Sequence, residues 1–577
     1  MKMLPGIARN APTDFRRGLL AVESVLVSSE ELHGMDFIFG TLATDELKVL
    51  HHRALRYGLQ HGHRITPRDP QPGEAVTLTV TVGPNCDVDA VVCYYTTDGS
   101  EPVGERGEAL NGQVLQLESA GVEWDTITWG YLVKWQGVIP AQPDSTTVRY
   151  RIGGWAEGQP EIFADWPHVK DLTDAAAGAF FSKQPLPDLN HAPPTYGDTF
   201  NYHVDTFRPP AWAYDAMIYH IFVDRFYPGD GKAWLQTDDP KAFCGGTLWG
   251  IRDRMAYIAE LGVNCIWLSP TCASPTAHGY DVVDYYKTEP RLGGDDALHA
   301  VIEAAHRHDI RVIFDLVCNH SSNEHPYFKS AHNNPNSPHR AWYTFNGSSL
   351  GYRAFFNVAN MPQINVAHPE ARAWLLDVAR HWLREFEVDG YRLDHAQGPG
   401  PGFWSDFLAV CKDEKPDSFC FGEIIDAQDV QQTYVGRLDG ILDFYIGEAL
   451  RKTYAYGEWS QAEFERFVKR HTRYTADTFL QPTFLDNHDM DRFLFIAGGD
   501  KAKLRRAAAT QMRLPAPPVI YYGTEVGLSQ REDTQTGGLD VSRLPMLWGD
   551  EQDTDLLDFY RDLIHTRREN TKVNEQS

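Results

Sequence analysis

The sequence predicts a (β/α)8 barrel of the α/β class, preceded by an all-β sandwich. Three observations carry this expectation. After residue 214, eight short apolar runs alternate with amphipathic helical stretches. Between about 75 and 155 the pattern is instead that of alternating strands bounded by Gly, Pro, Asn and Asp. Acidic residues stand at the carboxyl ends of several of the later runs, and a strand end is where a carboxylate avoids the cost of unpaired burial.

In chain order, residues 1–70 read as an N-terminal extension that is partly helical, through DELKVLHHRALRYGLQ (45–60). Residues 71–183 read as an immunoglobulin-like sandwich built from EAVTLTVTV (74–82), AVVCYYTT (90–97), QVLQLES (113–119) and TVRYRIGGW (147–155). The Pro-rich stretch 184–213 reads as a linker or an extended strap. Residues 214–577 read as the barrel. Its strand runs are MIYHIFV (217–223), VNCIWLS (263–269), VIFDLV (312–317), DGYRLD (389–394), FCFGE (419–423), GILDFY (440–445), PTFLDN (482–487) and VIYYG (519–523). Eight such runs match a closed barrel, and no GxGxxG opens a helix to favour a doubly wound open sheet. Residues 321–366, rich in Asn, His, Ser and Pro, form a long insertion after the third strand, of the kind that shapes access to a site.

Charge and composition exclude some functions. Lys and Arg total 53 against 79 Asp and Glu, a formal charge of −26. Such a surface repels nucleic acid and anionic lipid, so neither is an expected partner. The N-terminal MKMLPGIARN is broken by Pro and charges where a secretory signal needs an apolar stretch, and no run reaches membrane-spanning length. The expected compartment is the cytoplasm. The eight cysteines show no CxxC pair or Cys/His cluster, and Cys265 and Cys318 lie in apolar runs, so free buried thiols are expected.

A barrel gathers its active site at the carboxyl ends of its strands. That end offers Asp224, Arg225, Tyr280, Asp281, Asn319, His320, Arg392, Asp394, His395, Glu423, Asn487, His488 and Asp489. Any one of these alone would read as an ion pair or a cap; together at one end they read as a site. The carboxylates Asp394, Glu423 and Asp489 suit glycoside chemistry, in which one attacks, one donates and recovers a proton, and one steadies positive charge. Retention of configuration needs two carboxyl groups ~5–5.5 Å apart. Whichever of the three donates the proton needs a raised pKa, which a dry pocket and nearby negative charge provide. Arg392 shares strand parity with Asp394 and is placed to hold it ionised.

The segments GVNCIWLSP (262–270), DLVCNH (315–320), GYRLDHA (390–396), FGEI (421–424), FLDNHD (484–489) and VIYYGTEVGL (519–528) resemble, in order, the recurrent segments of the α-amylase superfamily, glycoside hydrolase family thirteen. The sandwich-first layout is similar to that of the neopullulanase and cyclomaltodextrinase group. The resemblance implies a retaining α-glucan hydrolase acting on α-1,4 and also α-1,6 links. In it Asp394 is the nucleophile, Glu423 the acid/base and Asp489 the third carboxylate. Tyr280 would be the stacking platform and His320 and His488 hydroxyl-binding, with Arg392 and His395 also on the substrate side and Asp281, Asp315 and Asn487 in support. No cofactor is required for this chemistry; the implied partners are an α-glucan and a second copy in a homodimer. A transglycosylase on the same site is the alternative. A non-catalytic carbohydrate-binding protein is the remote one, disfavoured because all three carboxylates are present. Trp124, Trp129, Trp135 and Trp155 of the sandwich are expected in its core in preference to an exposed sugar-stacking platform.

Three departures from the family pattern stand out. Many members carry DAAKH where this chain has DHAQG (394–398), so Asn319 is left as the candidate calcium ligand without its usual histidine partner. DRFYPGDG (224–231) is short of the oxygens calcium takes, and a structural calcium is therefore in doubt. Ala277 stands where exo-acting members often place an Asp, which favours an open cleft. The helix DTDLLDFYRDLIHTRREN (553–570) matches the last barrel helix, yet most relatives continue into a further β-sandwich. Either that domain is lacking, with the amino-terminal region covering the surface, or the chain is truncated.

Overall fold

The computed structural model describes residues 44–166 and 197–575, with 175, 176, 178, 179, 184 and 185 between them. The expectations for 1–43 and for 186–196 of the linker lie outside the described residues.

Eight parallel strands form the barrel: Ile218–Ile221, Cys265–Leu268, Arg311–Leu316, Gly390–Leu393, Phe419–Gly422, Gly440–Ile441, Thr483–Phe484 and Pro518–Tyr521. The eighth pairs with the first. The ring closes where Gly440 bridges Leu480 in parallel and Ile441 N–H donates to the Leu480 carbonyl at 3.0 Å. Successive side chains alternate between inside and outside because the strand period is two. Ile218, Cys265, Trp267, Ile313, Phe419, Phe421, Phe484 and Val519 pack together in the interior. The alternate residues Tyr219, Ile266, Phe314 and Tyr391 face the helices. Continuing the inward register upward leads to Asp315, Arg392, Asp394 and Glu423, so the same parity that fills the barrel aims these groups into its mouth.

The helices follow from their apolar stripes and end signals. Gly294–Arg307 buries Ala297, Leu298, Val301, Ile302, Ala304 and Ala305, a helical repeat facing the strands. Pro369–Glu385 starts with Pro in its first turn and buries Leu375, Val378, Ala379 and Trp382. Met255–Leu261 stops at Gly262, whose φ of 95° is the left-handed conformation that glycine adopts freely. In the insertion, the helix Pro326–Asn333 and short turns pack aromatic side chains against one another.

The sandwich has two antiparallel five-stranded sheets. One holds Leu59–Gln60, Ile65–Thr66, Val76–Val82, Gly130–Ile139 and Glu118–Asp125, the last at its edge and almost wholly exposed. The other holds Ile162–Phe163, Thr146–Trp155, Ala90–Thr96, Gln113–Gln116 and Phe200–Val204. Two expectations are corrected here. Phe200–Val204, expected in the linker, pairs antiparallel with Thr146–Tyr150, because alternating Phe200, Tyr202 and Val204 complete the core between the sheets. Trp124 and Trp129 are 44% and 75% exposed and meet edge to face at 5.3 Å, since both lie at the tip of the hairpin that ends the exposed edge strand.

Sandwich and barrel are locked by Asp406, on the barrel helix Pro401–Glu414. It accepts from Arg149 at 2.9 Å, Asn201 at 2.8 Å and His203 at 3.0 Å on the sandwich, and from Arg372 at 2.7 Å on the barrel. All eight cysteines are free. No helix among the described residues is long and apolar enough to cross a membrane.

Candidate active site

One guanidinium organises the mouth of the barrel. Arg392, fully buried on the fourth strand, gives Nη1 to Asp315 Oδ1 and to Asp394 Oδ1, each at 2.9 Å. Its Nη2 lies 2.8 Å from Glu423 Oε2. The same Glu423 oxygen accepts the His395 N–H at 3.0 Å. Asp394 and Glu423 therefore occupy adjacent nitrogens of one planar fork, which fixes their mutual orientation as a lysine could not. Burial pushes the carboxyls of Asp315, Asp394 and Glu423 up against the pull of Arg392, and for Asp394 and Glu423 the negative charges of Asp315 and Asp489 add to the push. Asp394 and Glu423 thus titrate as a pair, ionisation of one resisting ionisation of the other.

The remaining groups form a connected network. Asp315 also takes the Trp267 Nε1–H at 3.0 Å and the Tyr280 hydroxyl at 3.1 Å. The Tyr280 oxygen is hydrogen-bonded to His488 Nε2, which lies 3.0 Å from Asp489 Oδ2. The rings of Tyr280 and His488 are parallel, 7° apart at 5.3 Å. Burial, with the charges of Arg392 and Arg543, holds His488 well below the usual imidazole range, so it is neutral. Asn487 Oδ1 accepts the Asp489 N–H at 2.8 Å and shapes the turn beneath it. Asp281 takes the Ser274 hydroxyl at 2.7 Å and braces the loop carrying Tyr280.

Several sequence candidates take other places. Burial pushes His320 down to about 3, and both its ring nitrogens are engaged, Nε2 with the Tyr280 carbonyl and Nδ1 with the Asn319 amide, each at 3.1 Å. It supports Tyr280 from below. Asp224 accepts the Cys244 and Gly245 N–H groups, and Arg225 donates to the carbonyls of Arg543, Pro240 and Ala242, so this pair braces the rim. Asn319, the candidate metal ligand, accepts the Gln363 Nε2–H on its Oδ1 at 2.8 Å. A Cβ on Gly398 would come within 1.8 Å of that oxygen. Among the described residues no three His, Cys, Asp or Glu side chains gather around a cation site. Asp230 in the second candidate segment pairs with Arg252 at 3.0 Å. These donor sets do not fit calcium, which takes six to eight oxygens.

Two groups were not found by sequence reasoning. Arg543, buried, donates to Asp489 Oδ1 at 2.9 Å and to the His488 carbonyl at 2.8 Å. Phe355 from the insertion stacks on His320 at 4.9 Å and meets His395 edge-on at 4.8 Å. Phe356 beside it sits at φ 43°, a conformation uncommon for a bulky residue, and also contacts His395. The aromatic content of 321–366 was the available signal for the second; nothing local marks the first.

Residues 220–575 match the family profile described as "Alpha amylase, catalytic domain". Alpha-amylase 2 of Dictyoglomus thermophilum is 40% identical over 369 residues, covering 63% of this chain and 65% of that protein. Neopullulanase 2 of Thermoactinomyces vulgaris is 32% identical over 384 residues, covering 63% and 64%. The matched chain thus spans slightly less than two thirds of these relatives' length. Among solved structures, a cyclomaltodextrinase superposes with a TM-score of 0.59 at 25% identity, over 89% of this chain and 84% of the other. With that profile covering more than half its length, the chain belongs to the α-amylase family.

Proposed function

We propose that the protein is a retaining α-glucan hydrolase, cleaving α-1,4 and also α-1,6 links in the cytoplasm. The observation that carries the reading is the shared fork of Arg392, which brings Asp394 and Glu423 side by side. Relatives named neopullulanase and cyclomaltodextrinase support the substrate class.

Asp394 attacks the anomeric carbon while the bond to the leaving oxygen breaks and Glu423 gives that oxygen its proton. The sugar is left as an ester on Asp394. Glu423, now ionised, takes a proton from water, whose oxygen displaces Asp394 and restores the starting state. Asp394 and Glu423 are both pushed up beside one guanidinium, so the pair holds a proton more tightly than a free carboxyl does, as a site that pairs an acid with a nucleophile needs. Asp489, held by Arg543 and His488, supplies negative charge as positive charge grows on the ring, and Tyr280 offers its face to the sugar. No step runs through a metal.

Product analysis on α-1,4-, α-1,6- and cyclic glucans tests this. Release of reducing sugar with the configuration retained is expected, and Asp394→Asn should lower kcat at least ~10³-fold. Absence of sugar release from every glucan, or full turnover by Asp394→Asn, would overturn it.

A further inference from the structure

Two consecutive histidines near the end of the helix Asp45–Ala54 face different domains. His52 Nε2 lies 2.9 Å from Asp125 Oδ1 on the sandwich. His51 Nε2 lies 3.0 Å from Asp426 Oδ1 on the barrel, an ion-pair contact between side chains only 8% and 1% exposed. Asp426 stands three residues after Glu423, and its Oδ2 accepts from the Nε2 of Gln397, three residues after Asp394. Its Oδ1 also takes the Ala427 N–H at 2.6 Å, and the Tyr445 hydroxyl donates to its carbonyl at 2.9 Å. The two loops meet again at the reacting groups, where Ala396 N–H donates to the Glu423 carbonyl at 2.9 Å. One buried carboxylate thus ties together the loop after Asp394, the loop after Glu423 and a helix from outside the barrel. Gln397 is one of the residues by which this chain departs from DAAKH, and here it has a definite partner.

We propose that His51 is a positioning residue for the glycosidic reaction, acting through Asp426 and Gln397 to hold the loops of Asp394 and Glu423 in their working alignment. The N-terminal helix then belongs to the catalytic apparatus. This rests on the reading of Asp394 and Glu423 as the reacting pair. The charged groups facing His51 are Asp426 and Asp429 from the barrel and Arg56 from its own segment. Burial pushes the imidazole down, but Asp426 and Asp429 outweigh it, and the net direction is up from 6.5. The ion pair is therefore complete below the ordinary imidazole value and is lost as pH rises through the raised one. Because a misplacement of ~1 Å can cost up to ~10²-fold in rate, loosening this brace should be felt in kcat.

The test is kcat and KM against pH for the full chain and for His51→Gln, Asp426→Asn and the double variant. Lys48→Ala, on the exposed face of the same helix, is the control. Each single variant should lower kcat about tenfold with KM within about twofold. The double variant should be no slower than the worse single one, since the two act along one path. A loss of kcat as His51 deprotonates is expected in the parent and should be missing from His51→Gln, which keeps only the alkaline limb set by Glu423, while Lys48→Ala behaves as the parent. Parent-like kcat and an unchanged alkaline limb in His51→Gln, or additive losses in the double variant, would overturn the proposal. Should His51→Gln fail to fold, Gln397→Ala tests the other end of the brace, with the same kcat loss expected and unchanged kcat overturning it. Asp394→Asn separates the two ideas: turnover retained there defeats the reacting-pair reading, whereas turnover lost there with parent kcat in His51→Gln defeats the brace alone.

Discussion

At the scale of single residues, the site places three carboxyls around one guanidinium. Such a cluster is held against its own repulsion, and the strain has a measurable sign. Glu423 has its carboxyl pushed above the ordinary 4.5 by burial, so the folded state binds its proton more tightly than the unfolded chain does. Stability therefore falls as pH rises from about 4.5 through the raised value. Glu423→Gln removes that loss. Its melting temperature relative to the parent should improve between pH 4 and pH 7, measured by calorimetry at both. The same variant should lose ~10²–10⁴-fold in kcat on a glucan, and much less on a substrate whose leaving group departs without a proton. Asp394, Glu423 and Arg392 were legible in the sequence because strand parity and the strand-end position are local facts. Arg543 was not, because it reaches Asp489 from an irregular segment 54 positions away, where no period predicts which side chain turns inward.

At the scale of elements, the barrel depends on its shortest strands. The runs GILDFY and PTFLDN carry the pattern of full strands, yet each contributes two paired residues. The reason is a competing helix signal: the Asp443 side chain caps Phe444–Leu450 by accepting the Ile446 N–H at 2.8 Å, which takes the chain out of the sheet early. Closure then falls on Gly440, where a Cβ would lie 2.0 Å from the Leu480 carbonyl oxygen. Gly440→Ala should destabilise the protein by at least about 2 kcal/mol in denaturant unfolding, by forcing the sixth and seventh strands apart. Phe200–Val204 carries a weak strand signal for a related reason. Its strand pattern is five residues long and lies among prolines, and only the unfinished edge of the sandwich sheet gives it a place.

At the scale of the whole molecule, Asp406 joins sandwich to barrel. Burial alone would raise its carboxyl, but His203, Arg372 and Arg149 outweigh that and hold it well below the usual carboxylate range. Its contribution to stability is present above about 3.8 and is lost as pH falls through the depressed value. Asp406→Asn leaves the half-buried Arg372 without its carboxylate, while Arg149 keeps Glu101 at 3.3 Å, and should cost about 1–2 kcal/mol at neutral pH, read as a lower denaturation midpoint and, by limited proteolysis, as earlier cleavage between sandwich and barrel. The sandwich also carries the exposed edge strand Glu118–Asp125, whose outer backbone groups lie beside no other strand among the described residues. An uncovered edge of eight residues is a template onto which another chain can add, and repeated addition grows insoluble fibrils. This edge carries Glu118 and Glu123 in the open, Asp125 at its end being held by His52, and its pairing register is broken between Ser119 and Gly121. Like charges on two such edges repel and the irregularity spoils their fit, so a strand that adds little to the core contributes instead to keeping the protein dispersed at high concentration.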